Sequence, residues 1–260
     1  MSATAVTAEQ QMTSTRTSGM QRPWKMLGLH LAGIVLALAL VLIWLANADL
    51  TATEQTTLEP SVLWVYTIEH LQLTFVAAAI VLVIAIPLGI LLTRPAMRRY
   101  SGAVLAVANF GQAAPAIGLI VLLALSLGFG FWAAIVSLVL YAILPVLTNT
   151  MVGLRQVDER LVEAGRGMGM SSAAVLFKVE LPLAVPVMLS GIRTALVLLV
   201  GTATLAGFIN GGGLGILITT GVNLNLTIVL VAGSLLVAIL ALFVDWLGQV
   251  VEHLARPKGL

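Results

Sequence analysis

The stretch from residue 163 to 182, EAGRGMGMSSAAVLFKVELP, gathers acids, bases and three alternating glycines, Gly165, Gly167 and Gly169. Alternating glycines raise the question of phosphate binding. A phosphate loop needs a buried strand before it and a Gly-Lys-Ser/Thr ending, whose lysine and hydroxyl serve the phosphates and Mg²⁺. Lys25, Lys178 and Lys258 are the lysines of the chain, and none follows a glycine. No strand pattern precedes Gly165, and a dinucleotide fingerprint counted from it would need a glycine where Met170 stands. The second glycine-rich run, Asn210-Gly211-Gly212-Gly213-Leu214-Gly215, lacks the lysine as well. The stretch does not bind nucleotide.

Other chemistries fail on residue type. The chain has no cysteine, which removes disulfides and thiolates. Its histidines, His30, His70 and His253, are scattered and form no ligand-spaced cluster. No Ser, His and Asp converge at membrane depth, and the reading is of a non-catalytic chain that holds no metal or cofactor.

The elements that position the stretch are set by composition. Hydrophobic residues make up 60% of the chain and charged ones 9%, and the mean hydropathy is +1.07. Such a chain cannot cover itself with polar groups in water, so its solvent is the bilayer. A crossing helix needs about 20 apolar residues. Windows of that kind cover Leu27 to Ala46, Leu71 to Thr93, Ala103 to Leu127, Phe131 to Thr150, Val185 to Ile209 and Leu226 to Val250. An all-α, polytopic bundle of about six transmembrane helices is predicted, its third and fourth spans forming a hairpin across Gly128-Phe129-Gly130.

Basic residues fix the sidedness. Arg16, Arg22 and Lys25 precede the first span, and Arg94, Arg98 and Arg99 follow the second. Arg155, Arg160, Arg166 and Lys178 follow the fourth, and Arg256 and Lys258 follow the sixth. Both termini are therefore expected in the cytoplasm, by the excess of Lys and Arg in cytoplasmic loops. Asp49, Glu54, Glu59 and Glu69 fall on the other side. Slight basicity thus reports orientation and not nucleic-acid binding. Ala46-Asn47-Ala48 also resembles a signal-peptidase site, an alternative in which residues 1–48 are removed, but the apolar run exceeds a signal h-region.

Locally, the charged stretch reads as two short helices. Asp158 caps the first, with acids in its first turn, and Gly169 ends it in a left-handed turn. Ser171 or Ser172 caps a second helix, which Pro182 limits near Leu181. Met168, Met170, Val175, Leu176 and Phe177 are expected to be exposed there, as an amphipathic loop on the headgroups or as a docking surface.

With those residues in place, the stretch resembles the EAA loop of ABC-importer permeases: Glu-Ala-Ala, three residues, Gly, nine residues, Ile-x-Leu-Pro. Glu163-Ala164-Gly165, Gly169 and Val179-Glu180-Leu181-Pro182 keep that spacing, with Gly165 in place of alanine and Val179 in place of isoleucine. His70-Leu71, the run Pro87 to Arg94, Leu154 to Asp158 and Gly213-Leu214-Gly215 resemble the glycine betaine, carnitine and choline branch. The resemblance covers about residues 65–250.

It implies a type I importer permease fold and an organisation of four parts: a cytoplasmic leader (1–24), a first helix with an outer loop (25–64), the permease domain (65–250, coupling loop 155–182) and a tail (251–260). It implies that Glu163, Ala164, Gly165, Arg166, Gly169, Met170, Ser171, Phe177, Leu181 and Pro182 couple to a partner ATPase, with Glu163 and Arg166 in charge pairs that fix the loop. ATP and Mg²⁺ would sit on that partner. The implied partners are two cytoplasmic ATPase subunits, a second permease copy or a sister permease, an extracytoplasmic substrate-binding protein and the bilayer of the inner membrane.

Polar residues within spans, Asn109, Gln112, Asn149, Thr202 and Thr204, are candidates to line a path or to bond between packed helices. Asn210, Gly213, Leu214 and Gly215 are candidates for an outer gate or a binding-protein contact, against a flexible turn. Cargo other than osmoprotectants, such as an amino acid, stays open. An ion-coupled secondary transporter would need acids deep in the spans and repeats, and neither is evident.

Overall fold

The computed structural model describes residues 23–255, so the leader to Arg22 and the tail from Arg256 lie outside the described residues. The long helices are α1 (Pro23–Ala46), α3 (Pro60–Thr93), α6 (Phe131–Arg155), α9 (Leu181–Ala203) and α11 (Thr227–Ala255). Shorter ones are α2 (Ala52–Thr57), α4 (Ser101–Ala113), α5 (Ala116–Leu127), α7 (Glu159–Gly167), α8 (Ser172–Val175) and α10 (Gly215–Asn223). All described regular structure is helical, as hydrocarbon demands of a backbone that must satisfy its own N–H and C=O groups.

Among the described residues five helices are long and apolar enough to span a membrane. The expected third span is instead a broken pair, α4 and α5, bent by 97°. The break falls at Ala114-Pro115, where Pro115 lacks an N–H and forces the preceding residue into extended backbone (ψ 142°). Pro87, in contrast, sits inside α3 without ending it. The second span also starts earlier than the apolar window, at Pro60, because α3 carries on past the hydrocarbon edge. A capping box between Thr51 and Glu54 builds the short α2 between them and buries Glu54.

The core centres on α6. Of its most apolar window 56% is buried, against 17% for α1, which packs on α11 at the edge. Trp246 Nε1 donates to Leu27 O at 2.9 Å to hold that edge. Around α6 the neighbours approach through glycines. Gly89 of α3 faces Thr150, Gly153 faces Ala184 of α9, and Gly191 of α9 lies against Asn149 and Pro145 O. Lipid gives helices no hydrophobic reason to associate, so close backbone approach supplies the contact energy.

A Cβ at Gly191 would collide with Asn149 Cβ and stand 2.7 Å from the Pro145 carbonyl, whereas one at Gly201 on the same helix meets nothing within 4 Å. Gly191→Ala is expected to cost about 1–3 kcal/mol by overpacking. Thermal unfolding in detergent should show a clear loss for Gly191→Ala and little change for Gly201→Ala.

Candidate functional site

The loop between α6 and α9 is built from local caps. Asp158 accepts from the Arg160 N–H at 2.9 Å and starts α7. At its end Gly169 stands at φ 81°, its N–H donating to Arg166 O and the Met170 N–H to Gly165 O. This paired set of bonds is the Schellman closure, which needs a left-handed residue at Gly169. Ser171 then accepts from the Ala174 N–H and caps α8.

Several features differ from expectation. Pro182 does not end the second helix. Leu176–Glu180 form a π turn in which the Leu181 N–H reaches Leu176 O, five residues back. The widened turn makes room for the proline ring, and Ser172–Ile209 runs as one 38-residue helical rod. Val175 is also not exposed. It is buried against Gly165, with Met170 and Val179 beside it. Leu176 turns inward too, onto Leu154, Ala184 and Met188.

What remains outside is Met168, 72% exposed, and Phe177, 67% exposed, flanked by exposed Ser171 and Ala164. Glu163 and Arg166 are exposed and form no ion pair among the described residues, so the charge pairs expected of them are not formed within this chain. The pair that fixes the loop joins Glu180 to Arg94, at the end of α3. Arg94 Nη1 donates to Glu180 Oε1 at 3.2 Å, and Nη2 donates to Oε2. Leu181 is half-buried and Pro182 exposed beside this pair. Sequence reading missed it because the partners lie 86 residues apart. A second missed cluster is Arg193 of α9, which donates through Nε to Asp245 Oδ1 at 2.5 Å and lies 3.7 Å from Glu252. The lone arginine within a span and the aspartate near the end of another were its signals.

At the opposite end, the Asn210–Asn225 segment is no flexible turn. Thr204–Ile209 continue α9 as a 3₁₀ turn, Asn210 is left-handed (φ 57°), and α10 follows from Gly215. Gly212 (φ 90°) and Gly213 (φ 85°) make the reversal. Glu69 of α3 accepts the Gly213 N–H at 2.8 Å, and His70 beside it donates from Nε2 to Val200 O at 2.9 Å. Gly215 lies against the Thr204 carbonyl with no space for a side chain. Leu214 is buried, 1% exposed, in this conformation.

The path candidates are not brought together. Asn149 is spent in the α6–α9 seam, donating to Pro145 O at 2.8 Å. Thr202 donates to Leu198 O and lines a narrow crevice with Tyr141. Thr204 donates to Gly201 O. Asn109 is exposed on α4, and Gln112 is half-buried one turn later, just before the break.

Residues 85–257 match the family of binding-protein-dependent transport system inner membrane components. The glycine betaine/carnitine/choline transport system permease OpuCB of Bacillus subtilis is 41% identical over 192 residues, 74% of this chain and 88% of the relative. The choline permease OpuBB of the same organism is 40% identical, over 75% of this chain and 88% of its own. The osmoprotectant import permease OsmY of Salmonella typhimurium is 41% identical, over 69% and 78%. Among solved structures, the inward-facing MetNI methionine ABC transporter is similar, with a TM-score of 0.66, 26% identity, and coverage of 77% of this chain and 100% of that one.

The two loop glycines should respond oppositely to substitution. A Cβ at Gly165 meets Val175 at an ordinary 3.4 Å, and helical Gly→Ala is worth about 0.5–1 kcal/mol, so Gly165→Ala should stabilise α7. Gly169→Val meets no neighbour but forces a branched residue into the left-handed region, at about 1–2 kcal/mol or more. Hydrogen exchange of the Met168, Gly169 and Met170 amides should slow in the first variant and quicken in the second.

Proposed function

This chain belongs to the family of binding-protein-dependent transport system inner membrane components, and from that membership we propose that it passes quaternary-amine osmoprotectants through the inner membrane as the permease subunit of an ATP-driven importer. The permeases OpuCB, OpuBB and OsmY, near 40% identical over most of their length, carry such cargo in their names. The likeness to a methionine transporter's permease is weaker in identity and bears on fold. Cargo is captured by a separate extracytoplasmic binding protein, and the path is completed by a second copy of this chain or a sister permease.

The observation that carries the coupling role is the exposed apolar tip at Met168 and Phe177, with Phe177 on a capped helix that is continuous with α9 and Met168 at the end of α7. Two ATPase subunits, which hold the ATP and Mg²⁺, dock one on this tip of each of the two permeases. A side chain seated in a protein groove at Phe177 has a rigid lever behind it, because the rod through the π turn carries displacement directly into the bundle. The Arg94–Glu180 pair ties the same lever to the end of α3, so two of the helices packed on α6 move together. Glu163, Arg166 and Ser171 form the polar surround of that contact, with Ala164 exposed beside them. The basic end of the bundle faces the cytoplasm.

Proteoliposomes holding the permease, its ATPase and its binding protein should accumulate labelled choline, glycine betaine or carnitine in an ATP-dependent manner, and methionine not at all. Accumulation of methionine alone, or uptake that persists with a hydrolysis-dead ATPase, would overturn the assignment. Orientation is testable because the chain has no native cysteine. Asn225→Cys should react with a membrane-impermeant maleimide on intact cells, and Ser171→Cys only after permeabilisation; the reverse pattern inverts the topology.

A further inference from the structure

The acidic end of the bundle carries a charge imbalance with no internal answer. The segments 47–70, 128–131 and 204–226 that form it contain Asp49, Glu54, Glu59 and Glu69 but no lysine or arginine. Glu54 is consumed by its capping box, accepting from both Thr51 N and Thr51 Oγ1. Glu69 is different. Its carboxylate lines a cavity of about 310 Å³ with Gln72, Phe131, Asn210 and Gly212, a size at the lower end of small-molecule sites (about 300–1,000 Å³). One oxygen, Oε2, accepts the Gly213 N–H at 2.8 Å, and Glu69 forms no ion pair with any described residue.

We propose that this cavity is a site for a small organic cation, in which the Glu69 carboxylate supplies the countercharge and the Phe131 ring an apolar, electron-rich wall. A cation near an aromatic face gains from the ring quadrupole, and more so where water is excluded. Phe131 is half-buried, packs against the core and meets Trp132 edge-on, with ring centroids 5.4 Å apart. The chemistry does not suit a hard divalent ion, which takes six or more oxygen ligands. Here there is one carboxylate, one of its oxygens is already engaged, and no group of three or more His, Cys, Asp or Glu suited to a metal occurs among the described residues.

Placement gives the site a consequence for transport. Glu69 holds the Gly212-Gly213 reversal that joins the end of the α9 rod to α10, so the group that meets the cation is the group that fixes the turn. A bound cation competes with the Gly213 N–H for the same carboxylate. Occupancy of the cavity thus loosens the turn at the far end of the lever that starts at Phe177. The site rests on the cargo reading only for the natural identity of the ligand, and it places a cargo contact within the permease in addition to the one on the binding protein.

The test uses the assembled permease–ATPase complex in nanodiscs without binding protein, titrated calorimetrically with tetramethylammonium. Saturable binding is expected in the wild type, at least about 10-fold weaker binding in Glu69→Gln, and about 3-fold weaker binding in Phe131→Leu. Glutamine still accepts the Gly213 N–H, so Glu69→Gln removes the charge and keeps the turn. The uncharged choline isostere 3,3-dimethyl-1-butanol should bind the wild type and Glu69→Gln equally weakly. No saturable binding in the wild type, or binding indifferent to both substitutions, overturns the site. The cargo assignment fails separately. Glu69-dependent tetramethylammonium binding with no uptake of any quaternary amine upholds the site and sinks the cargo, while choline uptake with Glu69-indifferent binding does the reverse.

Discussion

The bundle depends on backbone-to-backbone approach at α6, above all where Gly191 meets Asn149 and the Pro145 carbonyl. In lipid, apolar side chains gain nothing by touching one another in preference to acyl chains, so dispersion at very short range must do the holding. Glycine is the residue that permits it, and Gly89, Gly153 and Gly191 bring both α3 and α9 onto the same central helix. This close approach also explains why Asn149, a polar residue within a span, serves packing and is not free to line a path: its Cβ is what fills the space beside Gly191.

Much of the architecture was legible because it is written in local signals. Apolar windows located the long helices, and the caps at Asp158, Gly169 and Ser171 follow from short-range hydrogen bonding that the residue types themselves specify. What was not legible is non-local. The π turn before Pro182 reflects a long helix prevailing over a proline that local rules take as a stop. Val175 turns inward because Gly165 leaves a hollow on another helix, a fact that no spacing in 172–180 contains. The Arg94–Glu180 and Arg193–Asp245 pairs join residues far apart in the chain, and the glycine-rich Asn210–Asn225 segment proved ordered because Gly221 and Gly233 let α10 and α11 press together.

The two ends of the long rod differ in kind. At the basic end its apolar tip is exposed and its carboxylate Glu180 is neutralised by Arg94, so the rod is tethered by charge and open to a protein partner. At the acidic end α3 holds the rod through His70, which donates to Val200 O, and holds the turn beyond it through Glu69, whose charge is left without an ion-pair partner among the described residues. In the proposed mechanism a push at one end and a small ligand at the other would act on the same mechanical element. Coupling between distant sites requires such an element, with two arrangements that both sites bias.

The 97° break at Ala114-Pro115 has a further consequence, for azimuth. Proline provides no N–H there, and Ala113, Pro115 and Gly118 around the bend are exposed on the isolated subunit. Interrupted backbone at membrane depth is tolerated only against protein or water, never against acyl chains. By that constraint the flank that bears the bend would face protein or water, and the α1 edge, the least buried of the spans, would face acyl chains. Pro115 would then fix the heading of the subunit about the membrane normal, with the bend turned toward a protein or aqueous neighbour.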